Sequence, residues 1–219
     1  MSRVRTGRAR LRYRKALEVV ELYQRYIARL DREAIRDAVE HRALIASRDS
    51  VLLELHCAFD TIRSLRRLGW KTSPSGILWP PVIFRGHRDG STLEVRYQRT
   101  PSALSTDSHY RAVQFAHGFP NTSNLRPDLV IKTTKDDATR WLLIEVKGGY
   151  KCSVADSARA AALDLFGYRR AFAPVLNQQG EAYGLGYVWG EGLRPSLGSD
   201  VTLCTPDTLD DALCALIPG

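Results

Sequence analysis

Two apolar segments that lie close together in the sequence constrain the fold of this chain more than any other feature. Residues 128–134 (DLVIKTT) and 140–147 (RWLLIEVK) have the length and the β-branched composition of buried strands. Only the polar segment 135–139 separates them, so we expect the two strands to form a hairpin. Apolar residues then recur at three- and four-residue spacing over 156–173, which predicts a helix directly after the hairpin.

The rest of the chain indicates further helices and strands around this unit. Helical spacing of apolar residues is found before the hairpin, over 11–46 and over 50–69. Strand-like composition is found in four further segments, 82–85, 93–99, 183–189 and 201–204. A short helix is expected over 208–216, whereas the polar segment 101–126 predicts irregular structure.

The character of the sequence changes near residue 48, from charged helical sequence to a mixture of strand and helix patterns. We therefore predict a helical N-terminal extension over residues 1–48 and an α/β domain over residues 49–219. Within the domain, Gly69 is expected to end the first helix. Residues 86–90 are expected to connect the first two strands of a hairpin.

The chain is basic, with 32 Lys and Arg against 24 Asp and Glu and a formal net charge of +8. Such a charge favours polyanionic partners. No run approaches the roughly 18 consecutive apolar residues of a membrane helix, and no apolar segment follows the basic N-terminus as in a secretory signal. The four cysteines lack metal-site and CxxC spacing, so we expect reduced, buried thiols, a cytoplasmic location and no membrane partner.

Three polar residues at the ends of the predicted hairpin form the candidate site. Side chains at i and i+2 share one face of a strand, so Glu145 and Lys147 point the same way while Val146 points into the core. A hairpin centred near Asp137 places Asp128 roughly opposite Val146. Asp128 then lies close to both Glu145 and Lys147, and a register error of one residue does not separate them.

Two carboxylates with open coordination positions suit Mg²⁺, which prefers oxygen ligands and keeps several waters, and Mn²⁺ can take its place. Such a metal orients a water and neutralises charge on a phosphate during an in-line displacement. A neighbouring ammonium can position or deprotonate the water, or stabilise developing negative charge. This chemistry predicts Asp128 and Glu145 as metal ligands and Lys147 as a catalytic residue.

The pair 127–128 (PD) and the triplet 145–147 (EVK) resemble the PD-(D/E)xK motif of the restriction-endonuclease-like nuclease superfamily. The two strands and the following helix also fit that family's core. The resemblance therefore implies a restriction-endonuclease-like mixed β-sheet flanked by helices. The family often adds an acidic residue from a helix before the sheet, and Glu54 in the segment 53–56 (LELH) is the candidate for this metal-binding and catalytic role.

Within this superfamily the chain most resembles the nuclease subunit of modified-cytosine-dependent restriction systems. The shared pattern is a Leu-Glu-Leu helix, Arg126 before the PD pair, the Glu-x-Lys strand, and a helix with Asp-Leu-Phe at 164–166. That family commonly has Gln where Gly167 stands and often Asp where Glu145 stands.

The resemblance implies Mg²⁺-dependent hydrolysis of DNA phosphodiester bonds in prokaryotic restriction or anti-phage defence. It also implies a partner ATPase or GTPase. This sequence lacks a G-x-x-x-x-G-K-[ST] nucleotide-binding loop, so we expect such a motor on another chain or segment.

Each candidate residue also has a plain structural interpretation. Asp128 alone would cap a turn after Pro127. Glu145 and Lys147 alone would form a solvent-facing pair on an edge strand. Glu54 alone would be a surface or salt-bridged helix acid. The alternative function is a non-catalytic nucleic-acid-binding or assembly subunit on the same fold, and an RNA substrate and a homodimer stay open.

Three further residues are candidates for contact with nucleic acid. Arg126 directly precedes the motif, and His109 lies in a polar segment. Lys151 follows Gly148 and Gly149, which free the chain to turn and to let a phosphate approach the backbone. An ordinary strand-to-helix turn is the alternative interpretation of this glycine pair.

Overall fold

The computed structural model describes residues 49–72, 81–106, 108–119, 125–149, 152–178, 183–194 and 199–217, together with position 33. By its backbone contacts the chain divides into two units, Met1–Ser47 and Arg48–Gly219. Every element below belongs to the second unit. The helix predicted over 11–46, and with it the N-terminal extension, lies outside the described residues apart from Glu33, which is helical.

The described part of the chain contains both helices and strands. The helices are α1 (Asp49–Arg67), α2 (Ser102–Ser105), α3 (His109–Ala116), α4 (Val154–Ala171), α5 (Ala173–Leu176) and α6 (Leu209–Leu216). The strands are β1 (Lys71–Thr72), β2 (Val82–Arg88), β3 (Ser91–Tyr97), β4 (Leu129–Lys135), β5 (Ala138–Lys147), β6 (Gly184–Val188) and β7 (Val201–Cys204). None of these helices is long and apolar enough to cross a membrane.

The strands form one seven-stranded mixed sheet in the order β1-β2-β3-β4-β5-β6-β7. Pairing is antiparallel from β1 to β5 and parallel from β5 to β7. The predicted hairpin is the pair β4 and β5, and the predicted helix after it is α4. The expected α/β class, with a mixed sheet flanked by helices, is therefore confirmed.

Helices α1 and α4 cover opposite faces of the parallel part of the sheet. A Cβ at Gly186 in β6 would lie 3.1 Å from the Cβ of Ala161, so this position faces α4. The next residue, Tyr187, bonds through its hydroxyl to His56 and Asp60 on α1. Because neighbouring residues of a strand point to opposite faces, the sheet lies between the two helices.

A hydrophobic layer fixes α4 against β4 and β5. Leu165 of α4 is fully buried together with Val130 of β4 and Leu143 of β5. Burying a side chain of this size stabilises a fold by about 1.5–3 kcal/mol. This layer therefore sets which side chains of α4 meet the end of β5.

Two-residue turns connect both hairpins. Asp136 and Asp137 have φ angles of +47° and +66°, and Asp89 and Gly90 have φ angles of +49° and +78°. Positive φ at both central residues is typical of type I′ turns, whose twist fits that of paired strands. The longer connection expected over 86–90 is therefore wrong, because β2 and β3 continue to either side of this tight turn.

The expectation of irregular structure over 101–126 is also wrong, since this segment contains α2 and α3. Both helices are short, with four and eight residues, so neither is long enough to establish a helical period in the sequence. Leu104 of α2 is buried in the layer under α4, and Tyr110 of α3 packs against it. Tertiary contacts thus stabilise helices that the local pattern does not predict.

The predicted end of α1 is confirmed, whereas the predicted burial of the cysteines is confirmed only in part. Gly69 follows the end of α1 with a φ of +89°, as predicted for a helix stop. All four cysteines are free thiols, but Cys152 and Cys214 are exposed rather than buried. Cys152 precedes α4, and Cys214 lies within α6 on its exposed side.

Two glycine substitutions test the packing of α4 on β6. In Gly186→Ala, the new methyl group would overlap Leu203 Cδ2 and crowd Ala161. We expect the free energy of unfolding in urea to fall by about 1–3 kcal/mol. The control is Gly167→Ala in the exposed surface of α4, where no atom lies within 4 Å of the added Cβ. That variant should gain about 0.5–1 kcal/mol, and a Gly186→Ala protein as stable as wild type would contradict the packing described.

Candidate active site

Glu145 and Lys147 lie at the carboxyl end of β5 and point toward α4. Lys147 Nζ is 2.7 Å from Glu145 Oε1. Glu145 is 5% exposed, and Lys147 is only partly exposed. The interpretation of this pair as a solvent-facing ion pair on an edge strand is therefore wrong, because β6 pairs with β5 on its other side.

Asp128 lies next to Glu145, as the hairpin predicts. Leu129 pairs with Ile144, so the register is one residue away from the predicted one. The two-residue turn explains the difference, because its centre falls between Asp136 and Asp137 rather than at Asp137. Asp128 Oδ2 accepts a hydrogen bond of 2.9 Å from the backbone N–H of Val146.

Burial raises the pKa of both carboxyl groups, and nearby negative charge adds to each shift. The pKa of Asp128 is raised to about 7, first by burial and then by the charge of Glu145, while the Val146 N–H opposes the shift. The pKa of Glu145 is raised by burial, although hydrogen bonds from Lys147 and Tyr168 oppose this. Two carboxylates therefore share a buried site that holds one ammonium group.

Glu54 supplies a third carboxylate from α1. It is partly buried and accepts hydrogen bonds from Tyr97 Oη at 3.1 Å and from Gln98 Nε2. Its charge contributes to the raised pKa of Asp128, so the two carboxylates lie near each other. Gln98 adopts a φ of +46°, a strained conformation for a residue with a side chain. Glu54 is thus held toward the site rather than in a surface salt bridge.

Helix α4 contributes two residues that the sequence analysis missed. Asp164 Oδ2 lies 2.7 Å from Lys147 Nζ. Tyr168, one turn later, donates a 2.8 Å hydrogen bond to Glu145 Oε2. The i, i+4 spacing of an acid and a tyrosine on the helix after the motif is the signal that could have revealed them. Gly167 is exposed and takes no part in these contacts. The family that this sequence resembles commonly has Gln at this position.

Lys147 is held as a cation by these neighbours. Burial favours its neutral form, but hydrogen bonds and charges of Asp164 and Glu145 outweigh that effect and raise its pKa. The ammonium therefore stays charged at neutral pH. Its position is fixed from two elements, β5 and α4.

Of the three residues predicted to contact nucleic acid, the structure describes Arg126 and His109, and no described side-chain hydrogen bond or ion pair joins either side chain to this cluster. Arg126 is exposed, and its backbone carbonyl lies 3.2 Å from Tyr168 Oη. His109 is exposed at the start of α3, and the described contacts connect it to none of the site residues. Lys151 lies outside the described residues.

A second polar cluster, also missed, occupies the other face of the sheet. His56 Nδ1 lies 3.1 Å from Asp60 Oδ2 and 3.0 Å from Tyr187 Oη. Tyr187 Oη donates to Asp60 at 3.0 Å, and Arg63 pairs with the same carboxylate. Burial acts to raise the pKa of Asp60, but His56, Arg63 and Tyr187 together lower it. This cluster connects α1 to β6 and satisfies a buried carboxylate.

Asp128 and Glu145 are the residues of this site that could hold a divalent metal ion. Among the described residues, no group of three or more His, Cys, Asp and Glu side chains is arranged to enclose a metal. Mg²⁺ needs only one or two carboxylates, because water fills its other positions. Carboxylate oxygens such as those of Asp128 and Glu145 are the kind of ligand that this ion takes.

Comparison with known proteins adds no assignment. No protein-family model matches this sequence, and neither a curated protein nor a solved structure shows significant similarity to it.

The raised pKa of Asp128 predicts an unusual pH dependence of stability in the metal-free protein. In the unfolded chain an aspartate titrates near pH ~3.9, whereas Asp128 in the fold titrates at about 7. The folded state therefore binds more protons between these values, and stability falls as pH rises through that window. We expect Asp128→Asn to be more stable than wild type by about 1–3 kcal/mol at about pH 8 in EDTA.

Urea unfolding of the two proteins at several pH values is the measurement. The matched control is Asp136→Asn, which changes an exposed turn aspartate in a backbone conformation that asparagine tolerates. Equal stability of Asp128→Asn and wild type at high pH would contradict the buried carboxylate pair.

Proposed function

We propose that this protein is a metal-dependent nuclease that hydrolyses phosphodiester bonds of DNA. The observation that carries the proposal is the burial of Asp128 and Glu145 side by side, with Lys147 held at the same end of the sheet. Folding gains nothing from placing two repelling carboxylates together. A nuclease that binds a divalent cation has a direct use for them.

In this proposal Asp128 and Glu145 bind Mg²⁺, and Glu54 assists, directly or through water. When bound, the ion supplies an oriented, acidified water and neutralises charge on the phosphate. Tyr97 and Gln98 keep Glu54 turned toward Asp128. Tyr168 holds Glu145 in place by its hydrogen bond, so the carboxylate keeps one orientation.

Lys147 acts in this proposal as a positively charged donor rather than as a base. Its pKa is raised by Asp164 and Glu145, so it enters the reaction protonated. A protonated lysine can hydrogen-bond the attacking water or a phosphate oxygen and stabilise negative charge as it develops. The role of Asp164 is to position Lys147 from α4.

The arrangement of elements supports a restriction-endonuclease-like fold. A helix precedes the sheet, an antiparallel hairpin carries the acidic residues, and a helix then leads into a parallel strand. On that resemblance we propose a cytoplasmic role in prokaryotic restriction or anti-phage defence, with a partner ATPase or GTPase. A homodimer would supply the two active sites that a double-strand cut needs.

Cleavage of supercoiled plasmid tests the proposal. We expect nicking or linearisation with Mg²⁺ or Mn²⁺, none with EDTA, and a loss of at least about 100-fold in Lys147→Ala and Asp128→Asn. Lys135→Ala is the matched control, because Lys135 lies at the opposite end of β4. This variant should cleave the plasmid as wild type does.

Two results would argue against the nuclease. Metal-dependent cleavage that persists in both site variants would place the activity elsewhere. DNA binding without cleavage, even after the neighbouring gene products are added, would favour the alternative of a non-catalytic binding or assembly subunit. A parallel assay with labelled RNA decides between the two substrates.

A further inference from the structure

A polar groove lies on β2, β3 and β4, on the face of the sheet that α4 covers farther along. Arg85 pairs with Glu94, which in turn pairs with Lys132, so these three residues form one row across the strands. Lys132 lies two residues from Val130, which packs under α4, and the groove therefore shares that face. The groove has a volume of about 320 Å³, and its further lining residues are Gly86, Thr92, Leu93, Arg96 and Thr134.

The groove carries organised positive charge. Glu94 accepts hydrogen bonds from Arg85 Nε at 2.8 Å and from Arg96 Nε and Nη2 at 3.0 and 2.7 Å. Burial acts to raise the pKa of Glu94, but Arg96 and Arg85 together lower it, so the carboxylate stays charged and fixes both side chains. Lys132 adds a third cation, which lies 5.8 Å from the centre of the Trp141 ring. Two arginines thus pair with one carboxylate, and Lys132 adds positive charge from the neighbouring strand.

The free donors in the groove match a phosphate group. Each guanidinium has five N–H donors, and Glu94 uses only part of them. Fixed guanidinium groups bind phosphate oxygens well because little side-chain entropy is lost on binding. Thr92 and Thr134 pair across β3 and β4 and bring two hydroxyl groups to the same groove. Hydroxyl and guanidinium donors are typical of contacts to a nucleic-acid backbone.

The groove adjoins the candidate active site. Gln98 donates its backbone N–H to the carbonyl of Asp128 at 2.8 Å, which continues the pairing of β3 with β4. Arg96 is two residues before Gln98, about 7 Å along the strand, and pairs with Val130, two residues after Asp128. The row formed by Arg85, Glu94 and Lys132 lies two residues farther along β3 from the candidate active site than Arg96 does.

We infer that this groove binds the phosphodiester backbone of the nucleic-acid strand that is cut, next to the cleavage position. The inference rests on the proposed function for the location of the cut. Arg96 holds the phosphate nearest the site, and Arg85 and Lys132 hold the strand beyond it. From β2 to β4 the groove spans about 10 Å, two strand spacings, which suits one backbone rather than a whole duplex.

Binding of a fluorescein-labelled oligonucleotide, measured by fluorescence anisotropy over a range of NaCl concentrations, tests the inference. EDTA, or Ca²⁺ in a parallel series, replaces Mg²⁺ so that binding is measured without cleavage. For Arg85→Gln/Lys132→Gln we expect at least about 10-fold weaker binding and a salt slope smaller by about 1.4–1.8, since each lost contact accounts for about 0.7–0.9.

Three comparison proteins separate contact with phosphate from damage to the fold. Arg111→Gln/Arg170→Gln removes two exposed cations from α3 and α4 and should bind within about 2-fold of wild type. Arg85→Lys keeps the positive charge and should therefore retain most of the wild-type dependence of binding on salt concentration. Asp128→Asn removes negative charge at the cleavage site and should bind as well as wild type or better.

The outcomes for groove and active site are distinguishable. A groove double variant that binds with wild-type affinity and slope overturns the inference, whatever the cleavage assay shows. A wild-type protein that binds no DNA or RNA in these buffers overturns it as well. Weaker binding in the groove variant alone supports the groove, and absence of metal-dependent cleavage would then count only against the nuclease proposal.

Discussion

Repulsion between two buried carboxylates, Asp128 and Glu145, is the constraint on which the rest of the site depends. The fold brings them together through the hairpin of β4 and β5 and then offsets their charge only in part, with Lys147. Asp164 shares that ammonium, and Asp128 accepts a hydrogen bond from the N–H of Val146. Burial and then the charge of Glu145 outweigh these donors and raise the pKa of Asp128 to about 7. A metal cation bound between the two carboxylates would remove the repulsion between them.

The supporting elements hold this unfavourable pair in place. The apolar layer beneath α4 fixes the helix, and the helix carries Asp164 and Tyr168 to the end of β5. On the other face, Asp60 ties α1 to β6, and Glu54 extends from the same helix toward β3. The packing of helices on both faces of the sheet stabilises the fold and so offsets the unfavourable free energy of the buried charges and the strained backbone at the site.

The sequence predicts the centre of the site better than its surroundings. Strand alternation is local, so Glu145 and Lys147 could be placed on one face, and the short turn brings Asp128 beside them. The predicted register is wrong by one residue because the turn has two residues, so the axis of the hairpin falls between Asp136 and Asp137. Asp164 and Tyr168 were missed because they reach β5 only through the packing of α4. Helices α2 and α3 were missed for the same reason, since their stability comes from contacts such as that of Leu104.

Calorimetric titration of the metal-free protein with Mn²⁺ tests most directly whether Asp128 and Glu145 form a metal site. We expect binding that weakens at least about 10-fold in Asp128→Asn, with Asp136→Asn as the matched control. Below pH about 7, binding should release a proton from Asp128, seen as a heat that varies with the ionisation enthalpy of the buffer. No binding, or binding that is equal in wild type and Asp128→Asn, would contradict the metal site.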